Sequence, residues 1–155
     1  MPVGEKDGVV VRRATAEDAS ALCALVSDME GAELDPEAFS RRLAAQLEDG
    51  RHACLVCEEG DEVLGMLNLR IEDQLHHARP AAEVMELVVA SGRRGEGLGA
   101  QLFEAARRLA VERDCEVLEV TSKLHRAEAH RFYERMGMRR THVRLSMSPD
   151  EGGLR

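Results

Sequence analysis

Apolar positions along the chain switch between a strand rhythm and a helix rhythm, and the switches mark its elements. Val9-Val10-Val11-Arg12 is a short β-rich run. Thr15-Ala16-Glu17-Asp18 has the form of a helix start, with Thr15 as N-cap and Asp18 at the capping-box position. Leu22, Leu25, Val26 and Met29 recur at helical spacing, predicting a helix to about Glu30. Asp35-Pro36-Glu37 opens a second helix with Pro36 in its first turn. Phe39, Leu43 and Leu47 form its apolar stripe, and Gly50 ends it.

Residues 52–58 and 62–69 are β-rich runs joined by Glu59-Gly60-Asp61, which predicts a hairpin. A polar connection over 71–80 carries His76 and His77, and an apolar strand follows at 83–89. From Gly97 a helix buries Leu98, Leu102, Phe103, Ala106, Leu109 and Ala110, and Asp114 closes it. Residues 116–121 read as a strand. Residues 125–136 read as a helix with Ala129, Phe132, Tyr133 and Met136 on one face, stopped by Gly137. A last strand is predicted over 139–147 and a frayed tail over 148–155. The order β-α-α-β-β-β-α-β-α-β predicts an α/β (α+β) fold, a mixed twisted central sheet with helices on both faces. Strand 83–89, helix 97–112 and strand 117–121 form a parallel βαβ crossover.

At 155 residues the chain suits one domain spanning 1–155, with 1–8 and 148–155 as flexible ends. The formal charge of −8 argues against nucleic acid as a partner, because neutralising phosphates needs a basic face. Basic residues nevertheless cluster at Arg93-Arg94 and through Arg126, Arg131, Arg135, Arg139 and Arg140, so a local anion site remains open. No apolar run approaches the roughly 20 residues of a membrane span, and the first residues lack a signal-peptide core. These readings place the chain in the cytoplasm, away from membranes. Strand ends and helix faces permit a homodimer. Cys54 and Cys57 share a CxxC spacing, but three strand steps span about 10 Å, too far for a disulfide. With Cys23 and Cys115 unpaired in sequence, no zinc set forms, and no metal site is expected.

The chemistry concentrates where strand 83–89 meets the helix from Gly97. Arg93-Arg94-Gly95-Glu96-Gly97-Leu98-Gly99-Ala100 places guanidiniums, free backbone N–H groups and a helix dipole around one point, which suits a phosphate. An ordinary glycine loop is the bland reading. A dinucleotide fold is another, since Gly95-Glu96-Gly97-Leu98-Gly99-Ala100 fits G-x-G-x-x-A and Glu116 or Glu119 lies about 20 residues on. Against it, residues 90–94 intervene after the strand, and too little chain follows for a second half-sheet. A P-loop fails because no Gly-Lys-Ser/Thr follows the glycines.

Arg94-x-x-Gly97-x-Gly99 resembles the Arg/Gln-x-x-Gly-x-Gly/Ala motif of the GNAT superfamily of CoA-dependent N-acetyltransferases. Glu86-Leu87-Val88-Val89 resembles that family's splayed fourth strand, and Phe132-Tyr133-Glu134-Arg135-Met136-Gly137-Met138 its F-Y-E-K-L-G-F segment. The resemblance covers nearly the whole chain. It implies acetyl-CoA as co-substrate, held by backbone groups of Leu87, Val88 and Val89 and by Arg94, Gly95, Glu96, Gly97, Leu98, Gly99 and Ala100. Many relatives carry asparagine where Arg126 stands, contacting CoA. Leu75-His76-His77, the stretch 83–89 and Ala129-His130-Arg131-Phe132-Tyr133 further resemble aminoalkylphosphonate N-acetyltransferases. That resemblance implies a small amine carrying a phosphonate and leaves room for a divalent metal.

Acetyl transfer to nitrogen needs a neutral amine, a polarised thioester carbonyl and a proton for the thiolate. An alkylamine titrates near 10, so presenting it neutral at pH 7 costs about 4 kcal/mol, which a base offsets. The resemblance gives Tyr133, the sole tyrosine, the role of protonating the thiolate; otherwise it is a core aromatic. Glu83 falls where several relatives carry a glutamate base, and is otherwise an acid at a solvated strand end. Glu86 is the weaker candidate. Three residues apart, the two face opposite sides of a regular strand, unless a bulge intervenes. The predicted activity is acetyl transfer to a primary amine of a small molecule by direct attack in a ternary complex. The alternative is a non-catalytic acyl-CoA-sensing or protein-docking module on the same fold.

Overall fold

The computed structural model describes residues 2–150 and divides the chain into two compact units, one running to Val120 and one beginning at Thr121. The first holds six strands, β1 (Pro2–Lys6), β2 (Val9–Arg13), β3 (His52–Glu59), β4 (Glu62–Glu72), β5 (Ala81–Val89) and β6 (Val117–Val120). It also holds helices α1 (Ala19–Glu30), α2 (Pro36–Glu48) and α3 (Leu98–Glu112). The strands lie in the order β1-β2-β3-β4-β5-β6, antiparallel throughout except for the parallel pair β5/β6. The mixed sheet and the βαβ crossover are as predicted.

Two apolar cores sandwich the sheet. On one face Leu98, Leu102 and Ala106 of α3 pack on Leu55, Leu67, Leu69 and Val84. On the other, Leu22 and Val26 of α1 and Leu43 of α2 pack on Val56, Met66 and Val88. Alternation in β3 sends Cys54 to the second core and Cys57 to the first, and all four cysteines are free. At the chain's start, a short 3-10 turn over Ala16–Asp18 precedes α1, with the capping box of Thr15 and Asp18 formed.

Two differences from the sequence reading stand out. Pro2–Lys6, read as a free end, forms β1 and pairs antiparallel with β2. Asp7 and Gly8 both take positive φ (53° and 80°), the geometry of a two-residue hairpin turn. The strand expected over 139–147 is absent; those residues carry no regular secondary structure. The tail expected over 148–155 lies mostly outside the described residues. Among its described residues the second unit holds one helix, α4 (Ala127–Arg135), ended by Met136 and by Gly137 at φ 100°.

Candidate active site

β5 is paired with β4 along its whole length but with β6 only from Ala81 to Val84. Beyond Val84 the two parallel strands part, and among the described residues no strand pairs with Met85–Val89 on the β6 side, which leaves an open strand edge. Ala90 N–H donates to Leu64 C=O across β4 at 2.7 Å. Antiparallel alternation therefore turns the polar backbone groups of Val88 toward β4 and those of Leu87 and Val89 toward the open side. An extended ligand would find its backbone partners there.

A bulge changes which side chains share a face. Asn68 lies opposite Glu86 and Leu69 opposite Val84, so Met85 is an extra residue in β5. Glu83, opposite Arg70, and Glu86, opposite Asn68, consequently fall on the same face, the one covered by α1 and α2. The opposite-face expectation for a regular strand does not hold.

Their surroundings differ. The Glu83 carboxylate takes a 3.1 Å ion pair from the Arg70 guanidinium, which also lies 3.9 Å from Glu72. Glu86 accepts a 2.9 Å hydrogen bond from the uncharged Asn68 amide, whose other N–H goes to Gln46 of α2 at the same distance. Glu83 lies in the part of β5 paired on both sides, whereas Glu86 lies where the open edge begins.

The turn after β5 runs through a 3-10 turn over Ser91–Arg93 to α3. Gly95 and Gly97 sit at φ 82° and 83°, conformations that L side chains avoid, and a Cβ built on either meets nothing within 4 Å. No side chain caps α3. The N–H groups of Leu98, Gly99 and Ala100 precede the first possible intrahelical acceptor, so they point out of the helix. Arg93 is held within the turn, with Nε between the two Glu96 oxygens (3.0 and 2.9 Å) and NH1 at Glu59 (3.2 Å). These bonds keep the Arg93 guanidinium well above its ordinary range and hold the Glu96 carboxyl below its own. Arg94 is 62% exposed, and among the described residues its guanidinium reaches Asp28 alone, at 3.9 Å. Open space, outward N–H groups and a solvated guanidinium suit a pyrophosphate.

In the second unit, Tyr133 lies on α4, with its ring edge-on to Phe132 (centroids 5.2 Å apart, planes at 70°). Burial pushes its phenol up to about 12, with Arg126 pulling the other way. Arg126 immediately precedes α4, and His130 Nε2 donates to Lys123 C=O at 2.9 Å.

His77 Nδ1 meets Glu116 at 2.9 Å, and the His76 and His77 rings lie tilted at 38° with centroids 4.3 Å apart. Among the described residues no group of three or more His, Cys, Asp or Glu is placed to hold a metal. No described helix is long and apolar enough to cross a membrane. Burial pushes the thiols of Cys54 and Cys57 up to about 12 and about 11, which makes them poor nucleophiles.

The acetyltransferase (GNAT) family model matches residues 19–138. The chain belongs to the GNAT family. It is 38% identical over 147 residues to the aminoalkylphosphonate N-acetyltransferase of Salmonella typhimurium LT2, spanning 94% of this chain and 92% of that protein. Among solved structures, a transcriptional regulator from Bacillus halodurans C-125 superposes with a TM-score of 0.85 at 27% identity, covering 90% of this chain and 99% of that one. Glucosamine-6-phosphate N-acetyltransferase from Arabidopsis thaliana gives 0.78 at 22%, covering 92% and 99%, a likeness of fold alone. Family and curated relative together make this chain an N-acetyltransferase.

Around the site of this GNAT domain stand side chains that sequence reasoning passed over. Asn68 and Arg70 on β4 and Gln46 on α2 surround the two glutamates. Asn68 left one trace in the sequence, as a lone polar residue within the apolar run Leu64-Gly65-Met66-Leu67-Asn68-Leu69. Gly65 in the same run lies under the open half of β5, where a built Cβ would stand 2.9 Å from Val88 C=O.

Proposed function

We propose that this chain transfers the acetyl group of acetyl-CoA to the primary amine of a small molecule, by direct attack in a ternary complex. The observation that carries the proposal is one continuous path: the open edge of Met85–Val89, then the glycine turn, then the uncapped start of α3. Acetyl-CoA supplies a thioester carbonyl activated toward nitrogen. The outward N–H groups of Leu98, Gly99 and Ala100 and the Arg94 guanidinium hold its pyrophosphate. Backbone groups of Leu87 and Val89 pair with its extended arm, and one of those N–H groups polarises the carbonyl.

Glu86 is the base in this proposal, in preference to Glu83. It sits beside the open edge, and its hydrogen-bond partner is an uncharged amide, whereas Glu83 is engaged by Arg70. Glu86 takes the proton that the amine must lose. The Tyr133 phenol gives its proton to the departing sulfur; a phenol raised to about 12 stays protonated across neutral pH. The acceptor we infer is an aminoalkylphosphonate, on the strength of the relative of that name. The cytoplasm, which supplies acetyl-CoA, is the proposed location.

The test combines acetyl-CoA titration with thiol release against aminoalkylphosphonates, polyamines, aminoglycosides and peptide N-termini. Release and an acetylated product with the phosphonates are expected, with turnover falling in Tyr133→Phe at unchanged acetyl-CoA affinity. Binding without release for any amine favours a sensor, and no binding removes both CoA readings.

A further inference from the structure

Asn68 lies in the middle of β4 and is only 6% exposed. Burying an amide is costly unless its polar atoms find partners. Both N–H bonds of Asn68 are used, one to Glu86 Oε1 and one to Gln46 Oε1, each at 2.9 Å. Its Oδ1 is buried without a hydrogen-bond partner among the described residues. The amide is therefore oriented through its donors alone. The next row of the same face, Val56, Met66 and Val88, is wholly apolar, so a hydrophobic side chain would suit packing at this position equally well.

We propose that Asn68 is the positioning residue of the reaction: it fixes the Glu86 carboxylate, and Gln46 of α2 fixes Asn68. The inference rests on Glu86 being the base. By engaging Oε1, Asn68 leaves Oε2 as the oxygen offered to an amine. The charged and titratable groups on this face are mostly engaged: Arg12 holds Glu58 as well as Asp18, and His52, opposite Arg70, lies 3.3 Å from Asp49. Arg70 on β4 is taken by Glu83 and Glu72, and Asp18 before α1 is taken by Arg12. Cys54 on β3 lies opposite Asn68, Glu83 shares Glu86's own strand, and α2 contributes the uncharged Gln46, with Arg42 exposed one turn earlier. The Asn68 amide thus sets the carboxylate's direction from a neutral partner. It also ties α2 to the strand on which the chemistry runs.

The decisive experiment measures kcat, KM and the pH profile of kcat/KM in Asn68→Ala, Asn68→Asp, Gln46→Ala and Glu86→Gln, using an amine that the wild type acetylates. Removing a donor from a carboxylate favours its protonated form. In Asn68→Ala the acid limb should therefore move to higher pH and kcat fall about tenfold, with KM for acetyl-CoA unchanged. Asn68→Asp, which sets a second carboxylate there, should move the limb further the same way, and Gln46→Ala less far. A merely structural amide would lower the melting temperature and leave the limb in place. An unmoved limb in folded Asn68 variants, with Glu86→Gln inactive, overturns the positioning role alone. If the Asn68 variants do not fold, the Gln46→Ala profile decides in the same way. Wild-type turnover in Glu86→Gln, or no turnover by the wild type on any amine, overturns the base assignment and the positioning role together.

Discussion

The two halves of β5 have similar composition and different surroundings. Ala81–Val84 is hydrogen-bonded on both sides, and the one acid it carries is paired with Arg70. Met85–Val89 is bonded on one side only, and its acid is held by an amide. The extra residue at Met85 separates the halves and turns both acids to one face. Two glutamates three residues apart thereby acquire different capacities, one fixed in an ion pair and one poised beside an open backbone edge. The chemistry proposed above follows the unsatisfied half.

Exchanging the acids for amides tests this contrast most directly. Glu86→Gln should lower kcat/KM by about a hundredfold or more, in the range of a lost general base. Glu83→Gln loses a partly exposed ion pair and should stay within a few-fold of the wild type. The same kinetics on both proteins decide it, and the reverse ranking would move the base into the doubly paired half.

Much of the backbone that carries this candidate site was legible in the sequence. The apolar run 83–89 and the helical stripe from Leu98 specify a strand, a turn and a helix, and the glycines mark where the backbone must bend out of L-residue space. The bulge was not legible, because an apolar Met85 inside an apolar strand gives no sign that it lacks a partner residue. Asn68 and Gln46 are 22 residues apart in the chain, and only the folding of α2 onto the sheet brings them together. β1 was missed because an edge strand exposed on both faces shows no alternation, although Asp7-Gly8 is a hairpin signal. The alternation Val143, Leu145, Met147 misled in the other direction. These side chains are exposed and belong to no described strand, since alternation supplies propensity without supplying a partner.

The turn beyond the open half offers the next contrast. Arg94→Ala should raise KM for acetyl-CoA about tenfold at nearly constant kcat, the loss of one charge-assisted contact. Arg93 is bound by Glu96 and Glu59, so Arg93→Ala should loosen the turn and raise the same KM only a few-fold. Equal losses would mean that both guanidiniums meet the ligand.

Support from beneath the open half rests on Gly65. A Cβ there would lie 2.9 Å from Val88 C=O, 3.1 Å from Cys57 Sγ and 3.3 Å from Leu102 Cδ1. The first neighbour is backbone and cannot swing away, so the strand itself must shift. Gly65→Ala should cost about 1–3 kcal/mol and lower the melting temperature by several degrees. A variant as stable as the wild type would show that the open half is compliant as well as unpaired.

The smallest effect asks whether an open edge also loosens the faces. Cys54 and Cys57 pair with Asn68 and Gly65 and so lie in line with Glu86 and Val89, while Cys115 precedes β6 beside the doubly paired half. With Cys54 raised to about 12 by burial, only about one thiol in ten thousand is thiolate at pH 8. A thiol reagent should therefore modify half-buried Cys115 first and reach Cys54 and Cys57 only on unfolding. The linkage has a definite sign. Above pH 9 the unfolded chain releases these thiol protons while the folded chain keeps them, so stability falls as pH rises from about 9 toward 12. Cys54→Val should flatten that decline in urea titrations across this range. Reaction of native Cys54 as fast as Cys115 would mean that the opening between β5 and β6 reaches through the sheet, and the two halves would then differ in packing as well as in pairing.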